Sequence, residues 1–442
     1  MYSLKDSKFL QERERENSFG SHSSRLTPKL KFTLVFLILI VFLISSSNSS
    51  LIYSSIKSKN KLSSISVTEF PIATGSEEQK VYGASGNYVM WIGNGSGGHG
   101  VYIYNLQTSE TTLMNNYGTE YVGDVNGNWI TWSQTNSETG NSETYVMNCS
   151  GGNKNKTYES EDKETKECAD KMNDKGELQR VILSERITLG INKLICWDSS
   201  LNYWYLISDT SSGITGVTLK DDLVFWSDNR NGNYDIFGYN LNTREEFDVA
   251  IAPGDQFLTS CHQQNINKGD DFITWIDGRN ITPGNPFFNY DIYGYNILTQ
   301  EEFIVANTGA EEAEPVAFGN KVAWVEKEEV LDGEGKRIGW NDKIKIKDLQ
   351  SGIVQTLIED QTYKTSLRMN NNYLVWNSTT DPYMRLDSYD IYGYSFFLSI
   401  SFPVCTQYNA QFVIEVLQNK VIWEDERNDE SDIYGATFEI IT

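Results

Sequence analysis

The chain has little from which a catalytic or metal centre is ordinarily built. Of 442 residues, three are histidine and five cysteine, and the cysteines (Cys149, Cys168, Cys196, Cys261 and Cys405) are odd in number with no C-x-x-C spacing. A zinc ribbon and a disulfide framework are therefore not indicated. One disulfide, Cys149 to Cys168 across a charged segment, is the pairing an oxidising compartment would allow. No G-x-S-x-G occurs, and neither His99 nor His262 sits in a nucleophile motif. His262 adjoins Cys261 in sequence, which is not the spatial pairing a catalytic dyad requires. The expectation is a chain that is not an enzyme. Basic residues are also scarce: beyond residue 60 there are 28 Lys or Arg against 56 Asp or Glu. Such a surface repels phosphate backbones and excludes nucleic acid as partner.

Long apolar runs are lacking too, save one. Phe32 to Ile44 is 13 residues interrupted by Thr33 alone, preceded by Arg25, Lys29 and Lys31 and followed by small residues from Ser45 to Ser50. A spanning helix takes about 20 apolar residues and a signal-peptide core about 7 to 15. The length favours a signal sequence, and the long charged leader favours an uncleaved anchor. Both readings export the chain beyond that run. The expected order is a charged leader over 1–31, a transmembrane anchor or signal segment over 32–53, a linker over 54–65, and a folded domain over 66–442. Six N-x-Ser/Thr sequons are compatible with export. The expected location is the cell surface, with membrane contact through the N-terminal segment.

What is abundant is aromatic: 25 Tyr, 20 Phe and 11 Trp, among turn-forming Asn, Gly and Ser. That composition favours strands broken by tight turns. A tryptophan recurs near the end of a short apolar strand, at Trp91, Trp132, Trp197, Trp226, Trp275, Trp324, Trp376 and Trp423. The separations are 41, 65, 29, 49, 49, 52 and 47 residues, and most suit one four-stranded propeller blade of about 40 to 50 residues. The clearest units run from Leu223 to Ala250 and from Phe272 to Ala306. Asn231-Gly232 is a strong tight-turn signal in the first of them.

Two units are irregular. Between Trp132 and Trp197 the stretch 154–176 is dense in Lys, Glu and Asp without apolar periodicity, and reads as a solvated inserted loop. Between Trp197 and Trp226 the 29 residues are few for a blade and imply a lost strand. The fold expected is an all-β propeller of eight blades, with seven as the alternative. The last unit runs out after ATFEIIT, whereas SVTEFPIAT at residues 66–74 resembles the fourth strands EEFDVA and EEFIVA. The N-terminal strand is therefore expected to close the ring, which removes the open sheet edges.

The pattern W-x-D-x-R-N-x-N-x-D-I-F-G-Y-N-L-x-T-x-E-E from Trp226 to Glu246 resembles the β-propeller repeat of methanogen (archaeal) cell-surface proteins, itself similar to TolB-like propellers. The resemblance covers the chain beyond residue 65 and implies an exported surface propeller with no catalytic residues to carry over. Exposed tyrosines of the Ile-Tyr-Gly-Tyr stretches, Ile292 to Tyr295 and Ile391 to Tyr394, would suit stacking on sugars, and the expected partner is an envelope protein or glycan.

Within the repeat, Asp228, Asn231, Asn233 and Asp235, then Asp277, Asn280, Asn289 and Asp291, then Asp425, Asn428, Asp429 and Asp432 place oxygen atoms at the short alternating spacing that calcium favours. Arg230, Arg279 and Arg427 stand where a calcium loop would place an acid. The competing structural reading has each Asp accept from turn amides or from that arginine, fixing the blade. The functional expectation is a structural or ligand- and protein-binding module. The alternative is an extracytoplasmic carbohydrate-active enzyme, a glycosidase or lyase, using acids that converge in the channel.

Overall fold

A computed structural model describes residues 63–75, 77–95, 97–115, 119–149, 155–160, 164–172, 178–186, 192–210, 213–258, 271–281 and 289–441. The leader, the apolar segment and most of the linker expected over 1–65 lie outside them. Among the described residues no helix is long and apolar enough to cross a membrane. Ser64–Ile441 form one compact unit.

Strand pairing gives eight four-stranded antiparallel sheets. In chain order they span 80–115, 119–160, 164–210, 214–250, 256–306, 311–359, 363–405 and 411–441, numbered here as blades 1 to 8. Blade 8 takes its fourth strand from the N-terminus: Ser64–Ala73 runs antiparallel to Asp432–Ile441, with Thr68 opposite Thr437. The expected closure is present, and the count is eight rather than seven. Apolar clusters seal every seam, including that between blades 8 and 1, where Trp91 and Tyr102 pack on Ile422 and Ile433.

The tryptophan lies in the second strand of seven blades and faces the preceding blade. Trp275 thus packs on Phe225 and Ile236 of blade 4, and Trp226 on Ile182, Leu194 and Cys196 of blade 3. Opposite it in the third strand stands an aromatic ring in most blades, as in Trp423 and Tyr434, whose centroids are 6.2 Å apart. In blades 1, 4 and 5 the turn after that strand is fixed by asparagine. Asn240 and Asn296 Oδ1 accept from the amides two and three residues on, an Asx turn that explains the recurring Y-N-x-x-T.

Blade 3 corrects three expectations at once. It has all four strands, Glu164–Met172, Leu178–Arg186, Asn192–Asp198 and Tyr203–Thr210, so none is lost. The stretch expected as a solvated insertion instead supplies the fourth strand of blade 2, Asn155–Ser160, and the first of blade 3. Trp197 lies in the third strand, opposite Val181 in the second, so the valine occupies the tryptophan's place and the tryptophan that of the facing aromatic. Counted through Val181, the spacings become 49 and 45 residues, in line with the rest. Charge misled the reading because backbone pairing, not side-chain polarity, holds these two strands.

The expected Cys149–Cys168 disulfide falls with the insertion. Cys149 is free and packs in the seam between blades 1 and 2, while Cys168 sits on the first strand of blade 3 opposite Leu183.

Candidate functional site

Two arrangements of side chains occupy the face that carries the turns between second and third strands. The first is built from the repeat. In blade 4 the Trp226 indole donates to Asp228 Oδ2 at 2.9 Å, and the Arg230 amide donates to Oδ1 at 3.0 Å. The Arg230 guanidinium clasps the same carboxylate, reaches Glu246 on the fourth strand, and lies 4.1 Å from the centre of the Phe237 ring. Blade 5 repeats this with Trp275, Asp277, Arg279, Glu302 and Tyr293. Blade 8 does so with Trp423, Asp425, Arg427 and Tyr434. Asn231, Asn280 and Asn428 donate through Nδ2 to Asp235, Asp291 and Asp432, and Asn233 adds a bond to Asp235 Oδ1 at 3.0 Å.

Asp228, Asp235, Asp277, Asp425 and Asp432 thus sit in a hydrogen-bonded network in which an arginine or an amide donates to the carboxylate, whereas Asn280 reaches only Oδ2 of Asp291. Among the described residues no group of three or more His, Cys, Asp or Glu is arranged to hold a metal ion. Asp228 and Asp277 are fully buried, and the guanidinium that clasps each supplies the charge-assisted partner a buried carboxylate requires. What this network does is fix the turn and lock the second, third and fourth strands together.

The second arrangement was not foreseen and lies at the mouth of the channel. First strands of adjoining blades neighbour one another from blade 6 through blades 7, 8, 1, 2 and 3 to blade 4, and first strands begin level with the repeat aspartates, as Gln256 opposite Asp277 and Gln411 opposite Asp425 show. A series of aromatic rings lines that edge. Trp340 meets Tyr363 edge-on at 4.9 Å, Tyr363 meets Tyr389 at 6.4 Å, and Tyr389 lies 6.0 Å from Phe412. Further round, Tyr234 lies 4.8 Å from Phe257. Tyr234, Tyr290 and Tyr389 each directly precede the Asp of D-I-F/Y-G; that Tyr-Asp pairing was the signal in the sequence. Trp340 comes from a hairpin, Glu329–Leu331 with Arg337–Trp340, inserted in blade 6 and pinned to blade 7 by Arg337 Nε donating to the Pro382 carbonyl at 2.9 Å.

Carboxylates stand among these rings. Glu314 accepts from Thr365 Oγ1 at 2.7 Å and the Ser366 amide at 3.2 Å. It sits in a β-bulge with φ +55°, and Ser366 in the matching bulge of blade 7 also has φ +55°. In blade 4 the corresponding residue is Gly216, φ +65°. An L-residue in this left-handed region costs about 1–2 kcal/mol, and such outliers cluster at functional sites. Away from the rings, further along the first strand of blade 8 and next to a bulge, Glu415 is pushed up to about 7 by burial, with Arg368 opposing. Burial raises Glu311 as well, against the pull of Lys327. Lys327 is the counterion: its ammonium lies 3.2 Å from Asp342 Oδ2 and 3.6 Å from the Tyr363 ring centre, and burial lowers its pKa. Of the two histidines weighed from sequence, His99 lies in the third strand of blade 1 opposite Asn94, and His262 lies outside the described residues.

Compared by sequence, the chain matches no protein family and no curated protein. By structure it is similar to the β-propeller domain of the Trilobed protease from Pyrococcus furiosus, at 12% identity over 74% of this chain and 97% of that one, TM-score 0.48. It is also similar to TolB from Acinetobacter baumannii, at 14% identity over 78% and 81%, TM-score 0.36. Oligogalacturonate lyase from Vibrio parahaemolyticus is similar at 10% identity over 85% and 97%, TM-score 0.48. The expectation of a chain that is not an enzyme is corrected by this set. The structures sharing the fold include that lyase and, over 48% of its length, a puromycin-hydrolysing peptidase of Mycobacterium tuberculosis at 11% identity and TM-score 0.47. At these identities the likeness is one of fold.

Proposed function

We propose that this TolB-like propeller binds an uncharged glycan of the cell envelope at the channel mouth, with the blades as rigid support. The observation that carries the reading is the run of rings from Trp340 through Tyr363 and Tyr389 to Phe412, in which Trp340 and Tyr389 are buried and Tyr363 and Phe412 partly exposed, with the carboxylates of Glu311 and Glu314 close by. Aromatic faces stack on the apolar faces of sugars while carboxylates accept from hydroxyls. The same carboxylates disfavour anionic glycans. The exported, cell-surface location, and membrane attachment through Phe32 to Ile44, belong to this proposal. They rest on that apolar run and on the resemblance of the repeat to methanogen surface propellers. Titration calorimetry with neutral envelope oligosaccharides tests it. Tyr363→Ala and Phe412→Ala are each expected to weaken binding by roughly tenfold, about 1.4 kcal/mol, and an unaltered affinity in both variants refutes the site.

A further inference from the structure

Asp291 and Glu312 face each other between blades 5 and 6, and each carries a buried oxygen that no donor reaches. The orphans are Asp291 Oδ1 and Glu312 Oε2, on residues 1% and 0% exposed. The other oxygens are taken: Asn280 Nδ2 donates to Asp291 Oδ2 at 2.7 Å, and the Thr308 amide and hydroxyl both donate to Glu312 Oε1. The Glu312 amide donates to the Tyr290 carbonyl at 2.9 Å. This seats its backbone beside the residue preceding Asp291, and the two carboxyl groups come within hydrogen-bonding reach.

The repeat shows what normally stands there. Gln256, Gln411 and Gln79 make the same backbone bond, to the carbonyls of Tyr234, Tyr389 and Ser431, each directly before Asp235, Asp390 or Asp432. Blades 5 and 8, and the approach to blade 1, thus set an uncharged glutamine at this position, whose Nε2 donates to backbone carbonyls and whose Oε1 carries no charge that would repel the repeat aspartate of the blade before. Blade 6 sets a carboxyl there. Two ionised carboxylates with facing, unpartnered oxygens in a dry seam repel each other strongly, and one proton between them satisfies both.

We propose that Glu312 is a proton-binding site: it stays a neutral acid, donates its proton to Asp291 Oδ1, and so couples the seating of blade 6 against blade 5 to pH. The surrounding charges leave the pair to settle its own proton. On blade 5, Asp277 is taken by Arg279, which also binds Glu302. On blade 6, Glu326 is neutralised by Lys343 and Lys345. Burial pushes Glu312 up to about 7, with Thr308 opposing and Asp291 and Glu326 adding to the rise. When the pH rises, Glu312 releases its proton to solvent and leaves two buried carboxylates beside Glu311 at the channel mouth.

The test compares thermal melts of the wild type, Glu312→Gln and Asp291→Asn across about pH 5 to 8. Glu312→Gln is expected to melt with the wild type at the acid end and above it at the alkaline end, because the amide needs no proton. Asp291→Asn, which offers Glu312 a donor, is expected to move the wild-type transition toward ordinary glutamate values. An infrared carbonyl band of a protonated carboxyl, present in the wild type at the acid end and absent from Glu312→Gln, identifies the group. Parallel melt profiles for wild type and Glu312→Gln overturn the proposal. So does a calcium-induced rise in melting temperature that Glu312→Gln abolishes, since a metal rather than a proton would then hold the pair.

Discussion

Arg427 Nη1 lies 3.0 Å from Glu69 Oε2, joining residues 358 positions apart in the chain. In blades 4 and 5 the same guanidinium position binds Glu246 and Glu302 of the fourth strand in its own repeat. The contact therefore continues the repeat across the gap between the chain's two ends, and Glu69 in T-E-F-P-I-A does what Glu302 does in E-E-F-I-V-A. A ring closed this way holds as long as its first strand stays docked.

Removal of residues 66–74 is expected to abolish cooperative unfolding, since it strips the outer strand from blade 8 and uncovers Phe438 and Ile433, both buried in the intact sheet. Glu69→Ala alone is expected to cost only about 0.2–1 kcal/mol, as a partly exposed ion pair. Calorimetric melts of the two proteins separate the effects. A sharp, unshifted transition in the deletion would refute closure by this strand.

Asp277→Ala is expected to destabilise by about 3–5 kcal/mol, because it leaves the buried Trp275 indole without an acceptor and the Arg279 guanidinium without its bidentate partner. Glu302→Ala, at the exposed end of the same network, is expected to cost well under half of that. Equal losses on urea titration would show that the arginine, not the buried aspartate, organises the turn.

The strained bulges separate stability from binding. Ser366→Gly and Glu314→Gly each relieve a left-handed residue at a place where blade 4 already carries Gly216. Each is expected to gain about 0.5–1 kcal/mol on that account. For Glu314→Gly the lost bonds to Thr365 and Ser366 offset the gain, and glycan affinity falls. A Glu314→Gly protein that binds as well as the wild type would remove this glutamate from the site.

Glu415 sets a pH dependence of its own. Its folded pKa, pushed up to about 7 by burial, lies above the unfolded value of about 4.3. The native state then holds the extra proton, and stability falls as pH rises through that window, levelling off above the folded pKa. Glu415→Gln is expected to flatten this part of the profile in melts followed by circular dichroism. An unchanged slope would mean that Glu415 titrates as an ordinary exposed glutamate.

The architecture was legible in the order of amino acids alone. A tryptophan marks the second strand of seven blades, Asn-x-x-Thr sets the tight turns of blades 1, 4 and 5, and the likeness of residues 66–74 to the fourth strands announced the closure, because each is a local pattern of burial and turn chemistry. Blade 3 was misjudged, since its pattern resides in Val181 and Trp197 exchanging places across two strands and becomes visible only once their register is known. Neither the channel mouth nor the Asp291–Glu312 pair could be assembled from the linear chain. Their members come from different blades, and residues so distant in the chain meet only when the ring closes, so burial, strain and a shared proton arise from tertiary packing and leave no spacing to read.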